Sequence, residues 1–331
     1  MAAPPVLERS LRLAHLPTPL EPMDRLAAHL EFPAGALWVK RDDATALGGG
    51  GNKSRKLDFL CADALRHGCD TLVTGGGAQS NHVRITAAAA NRLGLACTVV
   101  LAGNRQAAPS GNVLLGELLA PDVVWVDGSL GPEGYSRVER AIDDTARRLA
   151  AQGRRPYAIP VGGASAVGAL GYVRAAQELR EQDPALDLVV VADGSGGTHA
   201  GLVAGLGDHA QVLGIDVGAR DDLQEQVVAK AAEVARLAGL PEPGPEPPGW
   251  IDHGQVGEGY GAPTGACLEA LRLAARLEGL VLDPVYSGKA MAGLIAGVRD
   301  GRIARDRRVV FLHTGGLPAL FAPDYAGWLR S

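Results

Sequence analysis

Short β-branched runs that end in glycine and pass into helix-patterned stretches recur along this chain, and they leave it few ways to fold. Asp70-Thr71-Leu72-Val73-Thr74 reads as a buried strand that stops at Gly75-Gly76-Gly77, followed by a helical pattern over 80–93 and a second strand over 96–101. Strand, helix and strand in that order imply parallel pairing through a crossover. The unit begins again at Leu188-Val189-Val190-Val191-Ala192, breaks at 193–197, runs helical through Leu206 and returns as a strand over 212–217. A late strand over 308–313 stops at Gly315-Gly316. Between these runs, Leu57, Leu60, Cys61, Ala64 and Leu65 line one helix face, and Leu268, Leu271, Leu273, Ala274 and Leu277 line another that Gly279 would stop. Residues 241–249 are too dense in proline and glycine for regular structure and read as a surface loop. The order as a whole predicts an α/β protein with two parallel sheets.

Composition narrows the class. At roughly 150 residues per domain, 331 residues make two domains. Only 4% of residues are aromatic while 45 are glycine, so the core is built from Ala, Val and Leu. A net charge of −5 without a basic stripe speaks against nucleic acid. No apolar stretch approaches the ~18 residues of a membrane span, and the N-terminus lacks the apolar run of a signal peptide. Cys61, Cys69, Cys97 and Cys267 form neither a CxxC pair nor a metal-ligand spacing, which predicts a reduced, cytoplasmic chain without a metal.

Ligands of open α/β sheets bind beyond the carboxyl ends of the strands, and three glycine-rich segments lie there. In Gly75-Gly76-Gly77-Ala78-Gln79-Ser80-Asn81-His82, the free amides at a helix start favour an anion such as a carboxylate. Ser80 or Asn81 serving only as a helix cap is the alternative. In the segment Gly194-Ser195-Gly196-Gly197-Thr198, amides and hydroxyls suit a phosphate, although a ligand-free tight turn has the same composition. The third, Gly48-Gly49-Gly50-Gly51-Asn52-Lys53, delivers a lysine to a helix N-terminus, where the dipole disfavours a cation. Such a lysine pairs with an anion, has a lowered pKa as a Schiff-base lysine requires, or is simply solvated. Together, one lysine, one phosphate cup and one carboxylate cup are the parts needed to bind pyridoxal phosphate in an enzyme acting on an amino acid.

The residues also carry a family resemblance. LPTPLEPMDRL (16–26), KRDD (40–43), GGNKSRKLDFL (50–60), QSNHVR (79–84), IPVGGASAVGALGY (159–172), GSGGTHAG (194–201), LEGLVLDPVYSGKAMAGLI (277–295) and HTGGLPALF (313–321) follow one another in order over most of the chain. The chain resembles the D-cysteine desulfhydrase and 1-aminocyclopropane-1-carboxylate deaminase family of fold-type II pyridoxal-phosphate enzymes. The resemblance implies a large domain from 1–54 and 165–331, a small domain from 55–164, and a homodimer. It makes Lys53 the residue that holds the cofactor and moves the substrate α-proton. Asn52, Lys56, Asn81, Gly194, Ser195, Gly196, Gly197, Thr198 and Thr314 become cofactor contacts. Gln79, Ser80, Asn81, His82 and Ser287 face substrate, and Tyr260 and Tyr286 join Lys53 and Ser80 as catalytic.

Within the family, Ser287 and Thr314 follow the D-cysteine pattern, where the cyclopropane deaminases typically have Glu and Leu. The expected reaction is therefore β-elimination of a small amino acid, D-cysteine first, with Tyr286 protonating the leaving sulfur. L-cysteate, D-serine, β-chloro-D-alanine or the cyclopropane acid are alternative substrates, and a non-catalytic cofactor-binding protein is the alternative of another class. Gly76-Gly77-Ala78, Asp193 and the doubled Gly196-Gly197 depart from the pattern close to the pocket. His199 and Lys289 read as structural, and Tyr135 as packing.

Overall fold

The computed structural model describes residues 4–105 and 107–330; the expected domain limits at 1 and 331, and residue 106 of the expected small domain, lie outside them. The chain opens with β1 (Leu20–Pro22), α1 (Asp24–His29) and β2 (Leu37–Lys40), then α2 (Lys53–Arg66). Next come β3 (Thr71–Gly77), α3 (Asn81–Leu93), β4 (Ala96–Ala102), α4 (Gly111–Leu119), β5 (Asp122–Val126), α5 (Pro132–Ala151) and β6 (Pro156–Ala158). After α6 (Ala166–Gln182) follow β7 (Leu188–Asp193), α7 (Gly197–Leu206), β8 (Val212–Asp216), α8 (Leu223–Ala238) and β9 (Ile251–Asp252). The last elements used below are α9 (Gly265–Glu278), α10 (Ser287–Arg299) and β10 (Val309–Leu312).

Two sheets result. The smaller has the order β5-β4-β3-β6, all parallel, and the larger has the order β1-β2-β10-β7-β8-β9, parallel except for the β1–β2 edge pair. Helices cover both faces, as parallel sheets require, so the strands are apolar on both sides. Val190 and Ile215 pack into one core and Val189, Val191 and Val310 into another; in the small sheet Val99 and Leu101 face one core and Val100 and Ala102 the opposite one. Three of the four cysteines, Cys61, Cys97 and Cys267, are buried in these cores. Residues 241–247 form the irregular segment expected of the proline-rich stretch.

One expectation is corrected. The glycines after Thr74 do not end the strand; β3 continues through Gly77, paired with β4 to Ala102. The reason is space. A Cβ on Gly75 would meet Val138 and the Val100 carbonyl at 2.6 and 2.7 Å, and one on Gly76 would meet Ser80 Oγ at 2.7 Å. Glycine lets α5 and the start of α3 close onto an uninterrupted strand.

A buried ionic knot ties the larger sheet to α2. Arg55 donates from Nε and Nη2 to Asp42 at 2.9 and 2.8 Å, and from Nη1 to Glu178 Oε2 at 2.9 Å. Lys40 also donates to Glu178, Tyr172 donates to Asp42 Oδ2 at 2.6 Å, and the Thr18 amide donates to Glu178 Oε1 at 2.8 Å. Every charge in the knot has an opposite partner. Among the described residues, no helix is long and apolar enough to cross a membrane.

Candidate active site

The carboxyl ends of β3, β7, β8 and β10 meet at one pocket, and its wall holds most of the residues expected from the sequence: Asn52, Lys53, Ser80, Asn81, His82, Gly194, Ser195, Gly196, Thr198, Tyr260, Tyr286 and Thr314. Lys53 is the first residue of α2 and donates to Asn52 Oδ1 at 3.0 Å. Its backbone is fixed from two sides: the Asn52 amide donates to the Thr314 carbonyl at 3.0 Å, and Asn52 Nδ2 donates to Thr198 Oγ1 at 3.1 Å. Burial lowers the Lys53 ammonium pKa to about 8, with the charges of Asp283 and Asp193 opposing the shift. Lys56, one turn on, is fully buried and donates to the Gly162 carbonyl at 3.1 Å. Burial, then the neighbouring Lys53 charge, pushes its pKa far down.

The donor set fits pyridoxal phosphate. α7 begins at Gly197 with Gly196 as its cap at φ +81°, and no side chain satisfies the first amides, which leaves an anion cradle at the helix end. A Cβ on Gly197 would come within 2.9 Å of Lys56 Nζ, so this glycine lets the cradle and the ammonium approach each other. A poorly compensated buried ammonium, a free helix end and a primary amine in one pocket match a phosphate and an aldehyde on one molecule.

The opposite wall is the start of α3. Ser80 is its N-cap and accepts from the Val83 amide at 3.3 Å, so the capping role is real; the same residue also lines the pocket. The Thr74 hydroxyl donates to the Ile159 carbonyl at 2.9 Å, so it accepts from His82 Nε2 at 2.8 Å. Burial, then the Lys53 and Lys56 charges, keeps His82 neutral, and its buried Nδ1 has no protein partner. On the third side the hydroxyls of Tyr260 and Tyr286 are hydrogen-bonded to each other, their rings edge-on with centroids 6.0 Å apart. Burial raises both phenols; their mutual bond lowers Tyr260, which stands at about 12, and raises Tyr286 further.

Four expected residues are not on the wall. Ser287 is fully buried with its hydroxyl engaged in a turn: it donates to Asp283 Oδ1 at 2.6 Å and accepts from the Asp283 amide at 2.8 Å. Gln79 points its amide at α4, donating to the Ser110 carbonyl at 3.1 Å and accepting from the Asn112 amide at 2.8 Å. Neither contributes a side chain to the pocket, which corrects their assignment to substrate contact. Lys56 and Gly197 stand directly behind the wall.

Other residues emerge only from the fold. Asp283 is fully buried and accepts from the amides of Val285, Tyr286 and Ser287 at 2.9, 2.9 and 2.8 Å, so one carboxylate shapes the turn that presents Tyr286. The Asp-Pro dipeptide at 283–284 is the local turn signal that marks it. Arg84 on α3 donates to the Gly48 carbonyl, to the Gly50 carbonyl at 3.2 Å and to Asn112 Oδ1 at 2.7 Å, binding the glycine run ahead of Lys53 to the Ser80 segment. Asp193 lines the pocket and is bonded to His199 Nδ1 at 2.6 Å. Tyr135, expected as packing, also lines the pocket.

Comparison with known proteins places this geometry in company. The model of the family "pyridoxal-phosphate dependent enzyme" matches residues 11–315. The chain is similar to the D-cysteine desulfhydrase of Klebsiella pneumoniae, 45% identical over 330 residues, covering 94% of this chain and 95% of that protein. It is similar to the D-cysteine desulfhydrase of Salmonella schwarzengrund, 44% identical over 325 residues, with coverage of 94% and 95%. A solved structure of an ACC deaminase homologue superposes with a TM-score of 0.87 at 33% identity, covering 99% of each chain.

Proposed function

The chain belongs to the pyridoxal-phosphate dependent enzyme family, and from that membership we propose that it converts D-cysteine and water to pyruvate, hydrogen sulfide and ammonia. The observation that carries the reading is the placement of Lys53, with an anion cradle on each side of its amine and two phenols across the pocket. When bound, the cofactor supplies the electron sink that lets an amino-acid α-carbon release its proton. Lys53 holds the cofactor and carries that proton at Nζ, a role suited to an amine whose pKa lies near 8. The α7 cradle (Gly194, Ser195, Gly196, Gly197 and Thr198) binds the phosphate, with Lys56 behind it and Asn52 bracing Thr198. Asn81 and Thr314 hold the ring. The Ser80–Asn81 helix start takes the substrate carboxylate, and His82 lies beside it. Leu130, Val161 and Ala219 exclude water.

The departing sulfur receives its proton from the tyrosine pair. Tyr286 keeps its proton over the whole working pH range, and its contact with Tyr260 provides a route for replacing it. The preference for elimination over cyclopropane ring opening rests on Thr314, a wall residue; Ser287 acts only through the Asp283 turn. The residues 1–54 and 165–331 form the large domain in this reading, and 55–164 the small one. We read the enzyme as a cytoplasmic homodimer, with Leu114 and Leu118 of α4 and Val123 of β5 as the exposed apolar surface a second copy would cover; sedimentation velocity reads that state.

The test is product release from cofactor-loaded protein with D-cysteine, L-cysteine, L-cysteate, D-serine and 1-aminocyclopropane-1-carboxylate side by side. Pyruvate and sulfide from D-cysteine are the expected outcome. 2-Oxobutyrate from the cyclopropane acid alone would make the protein a deaminase, and silence on all five would remove the proposal.

A further inference from the structure

Tyr260 sits on a turn that its own backbone spans with a bond from the Ala262 amide to the Gly259 carbonyl at 3.2 Å. Gly259 and Gly261 flank the tyrosine at φ +142° and +77°, so the chain on both sides adopts conformations that only glycine takes easily. Two side chains from distant parts of the sequence grip this loop. Lys289 Nζ donates to the Gly259 carbonyl at 3.2 Å and to the Val256 carbonyl at 2.7 Å, while Tyr325 donates to the Gly261 carbonyl at 2.8 Å.

Lys289 is fully buried. Among the described residues its ammonium forms no ion pair; the two carbonyls are its hydrogen-bond partners, and the Asp216 carboxylate favours its charge only from beyond bonding distance. An unpaired buried ammonium is costly to keep. A neutral side chain would pack there more cheaply unless the grip itself has a use. The position of Lys289 supplies one. It lies three residues after Tyr286, in the first turn of α10. One helix therefore carries Tyr286 as its N-cap and, within the same first turn, the amine that holds the loop bearing Tyr260.

We propose that Lys289 is a positioning residue that sets Tyr260 against Tyr286, so that the two hydroxyls meet as one proton-donating pair. The inference rests on the role assigned above to the tyrosines. It extends that role to a residue that touches neither substrate nor cofactor.

Four cofactor-loaded enzymes test it: the parent, Lys289→Met, Tyr260→Phe and the double variant. Lys289→Met should lower kcat for pyruvate formation on the order of 10-fold to 100-fold, the cost of misplacing a reacting group by about 1 Å. KM and cofactor content should stay close to the parent. On the Tyr260→Phe background, Lys289→Met should add no more than about a twofold further loss, because its effect passes through the missing hydroxyl. Hydrogen exchange at residues 257–261 should accelerate in Lys289→Met while exchange in β7 and β10 does not. If Lys289→Met fails to fold, Lys289→Gln, which retains one donor, takes its place in the cycle with a smaller expected loss.

Full kcat in the lysine variant beside an impaired Tyr260→Phe would overturn the proposal. So would losses that multiply independently in the double variant, since a purely structural lysine behaves that way. A Tyr260→Phe enzyme as fast as the parent would instead overturn the role of Tyr260, and the lysine proposal with it.

Discussion

Helix α2 presents two kinds of buried charge within a single turn, and the contrast separates what holds this fold from what awaits a ligand. Arg55 is enclosed by Asp42 and Glu178, with Lys40, Thr18 and Tyr172 completing the knot. Lys53 and Lys56, on either side of it, meet an amide oxygen and a carbonyl and nothing of opposite charge at bonding distance. Buried charges are ordinarily paired. Two amines without a carboxylate partner, one on the pocket wall and one directly behind it, suit anions from outside. The knot is complete as folded; the site becomes complete only when loaded.

The largest effect should come from removing Lys53. Lys53→Ala should reduce pyruvate formation by on the order of 10⁴-fold or more, because one amine both holds the cofactor and moves the proton. The absorbance of lysine-bound cofactor should vanish with the urea midpoint little changed. An intact band in that variant would place the covalent link elsewhere.

Next in size is Arg55→Ala, on the other side of the comparison. It strands the buried Asp42 carboxylate and leaves Glu178 to Lys40 alone, and should cost about 3–5 kcal/mol in urea unfolding. Glu178 gives the same knot a pH signature. Burial alone would raise its carboxyl, but Arg55 and then Lys40 outweigh that and hold it at about 2 against an ordinary 4.5. Its folded pKa is depressed, so the stability it confers is present above pH 4.5 and drains away as pH falls toward 2. Arg55→Ala should flatten that acid limb, and an unchanged limb would assign it to other carboxylates.

Lys56→Met sharpens the contrast because its two effects should have opposite signs. Affinity for pyridoxal phosphate, measured by titrating the apo-protein, should fall about 10-fold or more, the worth of one charge-assisted bond. The apo-protein should be no less stable than the parent, since a buried amine with a single carbonyl partner is gone. Joint loss of stability and affinity would move Lys56 into the class of Arg55. The smallest effect is expected at Ser287→Ala: about 1 kcal/mol from the lost bond to Asp283, with kcat close to the parent.

The sequence made much of this visible, and the reason is locality. Strand and helix periods, the glycine runs and Lys53 at a helix start are all features of neighbouring residues, and the parallel topology brings their loops to one end of the sheets. What stayed hidden depends on distant pairings. Nothing near Lys289 says that its amine meets carbonyls at 256 and 259, and nothing near Arg84 points to Gly48 and Gly50. Ser287 reads as a pocket residue by its position after Tyr286, yet α10 turns it inward onto Asp283. The glycines of β3 look like a strand terminator because their function, letting α5 and Ser80 close in, involves atoms far along the chain.

The burial of three of the four cysteines has a consequence for their redox chemistry. Thiolates, not thiols, enter sulfur exchange and oxidation. Burial pushes Cys61, Cys97 and Cys267 up to about 12, so they remain protonated at any pH at which the enzyme works, and none lines the pocket. Packing thus keeps these three thiols out of sulfur exchange and oxidation, while Cys69, half-buried, is the cysteine left open to both.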